Sequence, residues 1–228
     1  MQRFKAPFTQ TSSCIAASML AVIVSSLSVS LAHAEPVASP SVPPNIRIPA
    51  GNKAFLVGHA LGTQNYSCLP AGVDAAGNPR FAWTLFTPQA TLHAQNLKEI
   101  TTHYFSPNPY EPSPTPFTEG PVRATWQHSK DTSMVWGKVV PGDSSSDATY
   151  VAQGAIPWLR ITVVGTEDGP TGGNTLSPTT YIHRVNTIGG VAPSTGCASA
   201  SDVGRQAFVP YTADYYFYEK AKDGPNDE

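Results

Sequence analysis

Tyr211-Thr212-Ala213-Asp214-Tyr215-Tyr216-Phe217-Tyr218 alternates with a period of two. Successive side chains of an extended chain point to opposite faces, so Ala213, Tyr215 and Phe217 share one side and Asp214, Tyr216 and Tyr218 the other. Aromatic residues suit a pleated, half-buried surface, which makes this run a strand. The same period recurs outward along the chain. Phe55, Val57, His59 and Leu61 oppose Leu56, Gly58 and Ala60, while Phe81, Trp83 and Leu85 alternate, as do Ile100, Thr102 and Tyr104. Ala124 and Trp126, then Val135, Gly137 and Val139, then Leu159, Ile161 and Val163, then Tyr181, His183 and Val185 continue it.

Gly, Pro, Asn and Asp punctuate these segments, and Ser129-Lys130-Asp131-Thr132-Ser133 reads as a hairpin loop between two of them. The best helix candidate, Ala90 to Leu97, is short and weakly periodic. The pattern predicts an all-β single domain of roughly nine or ten strands. A jelly-roll-like β-sandwich is the first expectation and a closed β-barrel the alternative. No internal repeat supports a propeller or solenoid.

The start of the chain fixes the expected compartment. Arg3 and Lys5 precede an apolar run from Cys14 to Leu31, and Ala32-His33-Ala34 supplies a small-x-small cleavage site, so residues 1–34 read as an export signal. Serines interrupt the run, which argues for a signal rather than a stable membrane anchor. The expected protein is secreted or periplasmic, with cleavage after Ala34. A Pro- and Ser-rich leader spans 35–45 and carries no core, the domain spans 46–222, and 223–228 form a polar, frayed tail.

Removing Arg3 and Lys5 from the 14 basic residues leaves 12 against 16 acidic ones, a mature charge of -4. Charged residues make up only 13% of the chain, against a typical share of about 25%. Lys and Arg do not cluster, so nucleic acid is not an expected partner. Of three cysteines, Cys68 and Cys197 survive processing, and in an oxidising compartment two such residues pair.

No G-x-S-x-G elbow or G-x-G-x-x-G fingerprint occurs, and no cofactor is expected. His59, His93, His103, His128 and His183 lack the close spacing of a metal site, so no metal is expected either. His103, His128, His183, Arg184 and Asp214 form a candidate polar site if their strands are neighbours, and Arg184 is a cross-strand partner for Asp214. Trp83, Trp126, Trp136 and Trp158 sit in apolar alternation and read as core. Tyr216 and Tyr218, beside Asp214, are the candidate exposed aromatics for stacking on sugar rings. Asn186-Thr187-Ile188-Gly189-Gly190 reads as a turn or a backbone anion cradle, and Asn65-Tyr66-Ser67 is an acceptor sequon.

Several motifs carry a resemblance. Ala155-Ile156-Pro157-Trp158-Leu159, the stretch from Tyr181-Ile182-His183-Arg184-Val185-Asn186 to Pro193, Cys197, and Val209-Pro210-Tyr211-Thr212-Ala213-Asp214 to Tyr218 resemble a family of secreted fungal and bacterial proteins with no assigned function. The resemblance covers about residues 44–219 and implies an exported domain with both cysteines at characteristic places. Some relatives bear a dehydrogenase label, which this chain's motifs do not support. Thr132 stands where the family's turn is expected to have Gly.

The functional expectation is a secreted β-protein that binds a glycan or another cell-surface component. A hydrolase built from scattered His, Asp and Arg residues, and a structural envelope protein, are the alternatives. Ligand identity and oligomeric state stay open.

Overall fold

The computed structural model describes residues 37–116 and 119–222. The expected export signal and the tail lie outside the described residues. Within them the chain forms nine strands: β1 (Asn52–Val73), β2 (Pro79–His93), β3 (Glu99–Pro107), β4 (Val122–His128), β5 (Met134–Lys138), β6 (Ser144–Ser145), β7 (Trp158–Glu167), β8 (Thr179–Gly189) and β9 (Gln206–Lys220). Short 3₁₀ turns occupy Pro44–Ile46 and Ala200–Asp202. Residues 90–93 of the helix candidate end β2, and 94–98 turn into β3.

Every pairing between these strands is antiparallel, in the order β5-β4-β3-β2-β1-β9-β8-β7, and β5 also pairs with β7. Eight strands thereby close on themselves in an up-and-down barrel, with two-residue β6 appended to β7. The all-β class holds, and of the two expected architectures the barrel is the one formed. Alternation reports that one face is buried but not whether the opposite wall belongs to a second sheet or to the same sheet closing on itself. Closure rests on long-range register instead. β1 pairs with β9 from Asn52↔Lys220 to Ser67↔Gln206, and Met134–Lys138 meet Thr162–Glu167.

Two glycines let the wall close. A Cβ on Gly62 would stand 2.2 Å from the Gln89 carbonyl oxygen, and one on Gly137 would stand 2.4 Å from Ile161 Cγ2. Both are positions where strands and inner side chains approach too closely for any larger residue.

The interior core joins Ala60, Leu92, Trp126, Val135, Ile182 and Phe217 from six strands, and Leu176 from the β7–β8 connection is buried with them. Trp126 is fully buried and meets Phe217 edge-on at 6.3 Å. Trp136 and Trp158 are also buried, but Trp83 is half-exposed and donates its indole N–H to the Thr195 carbonyl at 2.9 Å.

A second cluster lies on the outside of the barrel. Val42 and Ile46 pack with Val151, Trp158 and Val185. The leader was expected to carry no core; instead its Val42 is part of one, packed beside Ile46 of the domain over apolar side chains on the outer faces of β7 and β8.

Asp131 organises the β4–β5 hairpin. Its Oδ1 accepts from Ser133 N–H at 3.0 Å and Ser133 Oγ at 2.7 Å, and Oδ2 accepts from Thr175 N–H at 3.0 Å and Thr175 Oγ1 at 2.6 Å. Burial alone would raise its pKa, but these donors hold the carboxyl well below the usual range. Thr132, next in the loop, has φ +58°, a left-handed conformation that suits glycine far better than a β-branched residue. That geometry accounts for the glycine expected there from the resemblance.

Cys68 and Cys197 form a disulfide that ties β1 to the loop following β8. Asn65 of the sequon lies inside β1 and is only 2% exposed, so the folded protein does not present it for glycosylation. The Asn186–Gly190 segment is neither a turn nor a cradle: it carries β8 on past a bulge between Val185 and Ile188, with Ile188 and Gly189 still paired to β9. Asn186, Gly189 and Gly190 all have positive φ, and Gly190 N–H is already bonded to the Pro210 carbonyl at 3.0 Å.

Candidate functional site

Period-two alternation on β3, β8 and β9 sends His103, Arg184 and Tyr215 inward. They line a cavity of ≈ 380 Å³ inside the barrel, together with Gln64 from β1. Its apolar wall includes Leu85, Phe105, Ala124, Trp126, Leu159 and Ile161. Val122 and Val139, both exposed, mark the rim, whereas Gln64, His103, Trp126 and Tyr215 are buried and form the floor.

His103 is stacked on Trp126, with ring centroids 4.2 Å apart and planes 7° from parallel. Its Nδ1–H donates to the Thr125 carbonyl at 2.9 Å, since a carbonyl can only accept. Nε2 is therefore left as an acceptor. Burial, followed by the Arg184 charge, pulls the imidazolium down to about 3 against the bond to Thr125, so the ring is neutral at ordinary pH.

Arg184 uses Nε–H and one Nη2–H on the Pro157 carbonyl, at 3.3 and 2.9 Å. No carboxylate pairs with it among the described residues. Its other partner is the Tyr215 hydroxyl, also uncharged. The charge is felt in the cavity floor: burial raises the Tyr215 phenol, and Arg184 pulls it back. Gln64 and Trp126 add buried donors, Nε2–H and Nε1–H, with no hydrogen-bond partner. At the rim, Arg123 and Lys138 share one carboxylate, Glu111, at 2.6 and 3.7 Å. Three cations thus line a cavity served by one anion, in a chain whose net charge is -2.

The other candidate residues go elsewhere. His128 ends β4 and binds Asp131 within the hairpin, Nδ1 to Oδ1 at 2.8 Å. His183 faces outward beneath the leader: Nε2–H donates to the Ile46 carbonyl at 2.7 Å, and Nδ1 accepts from Tyr218 Oη at 2.9 Å. Burial lowers the pKa of this second histidine as well.

Asp214 does not pair with Arg184. The register sets Arg184 opposite Tyr215 and Asp214 opposite Val185, so the two side chains lie on opposite faces of the barrel wall. Asp214 instead accepts from His59 Nδ1–H at 2.6 Å and Asn186 Nδ2–H at 2.7 Å on the outer surface. The stacking platform also fails: Tyr218 is 1% exposed, covered with His183, and Tyr216 packs against the outer cluster. A single alternating strand cannot show that its outer face will be covered by residues more than 100 positions away.

Sequence reasoning missed Gln64, Tyr215 and His59. Gln64 had a signal: it keeps the inward parity of Ala60 and Gly62, so a polar residue falls on the buried face of β1.

No curated protein and no solved structure matches this chain. A family match does, and it extends over residues 49–219, which hold both the disulfide and every residue of the cavity floor. The chain belongs to the family described as "Protein of unknown function (DUF3455)".

Proposed function

We propose that this is a secreted binding protein that takes a small molecule into the lumen of its barrel. The observation that carries the reading is the cavity itself. An eight-stranded barrel is wide enough either to fill with side chains or to hold one small ligand, and this one is filled at one part and open at another. A cavity of ≈ 380 Å³, apolar-walled with a few polar groups at its floor, matches the usual form of a ligand site. Export, inferred from residues 1–34, puts that ligand in the envelope or outside it. The glycan expectation loses its motive with the covered tyrosines, and a ligand of about one or two rings takes its place.

The convergence of His103 and Arg184 also bears on the hydrolase alternative. An imidazole whose conjugate acid titrates near 3 is a weak base, and no Asp, Glu, Ser, Thr or Cys is among the residues lining the cavity. Donors positioned around an apolar space support binding better than nucleophilic chemistry.

The test is titration with 1-anilinonaphthalene-8-sulfonate. The account expects saturable fluorescence enhancement at one site per chain, with micromolar affinity. Ala124→Leu, which adds bulk to the inner wall, should weaken binding by roughly ten-fold or more while leaving the circular dichroism spectrum unchanged. Enhancement that does not saturate, or that Ala124→Leu leaves intact, would contradict the lumen as the site.

A further inference from the structure

Resting on that lumenal reading, we infer that the ligand is a small amphipathic carboxylate, a flat ring or short acyl body whose carboxylate is held by the guanidinium of Arg184. A guanidinium facing a cavity inside a barrel, with no carboxylate partner, is an incomplete ion pair, and such groups in proteins are normally paired. Arg160 shows the paired arrangement in the same fold, its guanidinium binding the Asp143 carboxylate and the Arg47 carbonyl. Glu111 likewise satisfies Arg123 with two bonds, at 2.6 and 2.8 Å. Arg184 instead bonds to the Pro157 carbonyl and to the Tyr215 hydroxyl, neither of them an anion, so its charge is left without the carboxylate that a guanidinium binds best.

Donor count points the same way. Gln64 Nε2–H and Trp126 Nε1–H are buried without a hydrogen-bond acceptor at the wall of the same cavity. Donors left without acceptors are completed by a group that only accepts and does so several times over, as an ionised carboxylate does with its two oxygens. Arg123 and Lys138 at the rim give an entering anion a positive approach even though the whole chain is acidic. The rest of the lining, Leu85, Phe105, Leu159 and Ile161 among them, requires the remainder of the molecule to be apolar.

The probes are 1-naphthoate and 1-naphthamide, which share a body and differ in head-group charge, measured by isothermal titration calorimetry. Wild type should bind the naphthoate at least ten-fold more tightly. In Arg184→Met the naphthoate should lose at least ten-fold, the naphthamide should change by less than two-fold, and Arg184→Lys should fall between wild type and Met. Equal affinity for the two probes in wild type would overturn the carboxylate inference while leaving lumenal binding in place. Failure of both probes together with the anilinonaphthalene dye would overturn the lumenal reading itself. Should Arg184→Met not fold, the wild-type comparison and Arg184→Lys still decide.

Discussion

Between pH 7 and pH 5 the protein is expected to lose about 2 kcal/mol of unfolding free energy through His103 alone. The imidazole titrates near its ordinary 6.5 when unfolded and near 3 when folded. Between those values the unfolded state binds more protons, so stability is complete above pH 6.5, falls as pH drops through that window, and levels below pH 3. A gap of that width amounts to about 5 kcal/mol in full, a large part of the total stability of a domain. His183, also depressed, acts in the same direction. The depressed carboxyl groups act lower: Glu111, held to about 2 chiefly by its bonds from Arg123, loses its contribution only as pH falls below about 4.5. Urea midpoints of wild type and His103→Phe at pH 7 and pH 5 measure the effect. The variant keeps a ring against Trp126 and should show a shallower drop, whereas parallel slopes would mean that His103 is protonated in the native state.

Removing the disulfide is the other large effect. Cys68 and Cys197 are 129 residues apart, and cross-linking residues so distant restricts the unfolded chain by as much as about 5 kcal/mol in the chain-entropy model. Cys68 has no exposed surface and Cys197, in the loop after β8, is half-buried. A Cys68→Ala/Cys197→Ala double variant should therefore unfold at markedly lower urea, by 2–5 kcal/mol in order of magnitude. An unchanged midpoint in the double variant would show that the loop carrying Cys197 is held by other contacts, among them the Trp83 bond to Thr195.

Much of the wall was legible in the residues, and its closure was not. Tyr211, Ala213, Tyr215 and Phe217 do share a buried face, as their alternation says, and Leu159, Ile161 and Val163 line the inside beside them. Whether such faces meet across two sheets or around one barrel depends on β1 finding β9 and β5 finding β7, contacts that no local pattern encodes. The site divides in the same way. His103 and Arg184 were readable as candidates, but strand parity separates them from His183 and Asp214. Parity relative to the barrel interior becomes known only when register is known. Tyr216 and Tyr218 looked exposed because nothing near them in sequence covers them; Val42 and Ile46 arrive from the other end of the chain.

The central claim is that the lumen of a closed barrel is the binding site, with Arg184 in its wall. The most direct measurement is a ¹H–¹⁵N correlation titration of the labelled protein with 1-naphthoate. The account predicts shifts at the Arg184 Nε–H, the Gln64 side-chain amide, the Trp126 indole N–H and the backbone amides of Ala124 and Gly137, with outer-face Asn186 and His59 unmoved. Shifts confined to the outer face around His59 and Asp214, with the lumen signals still, would contradict it.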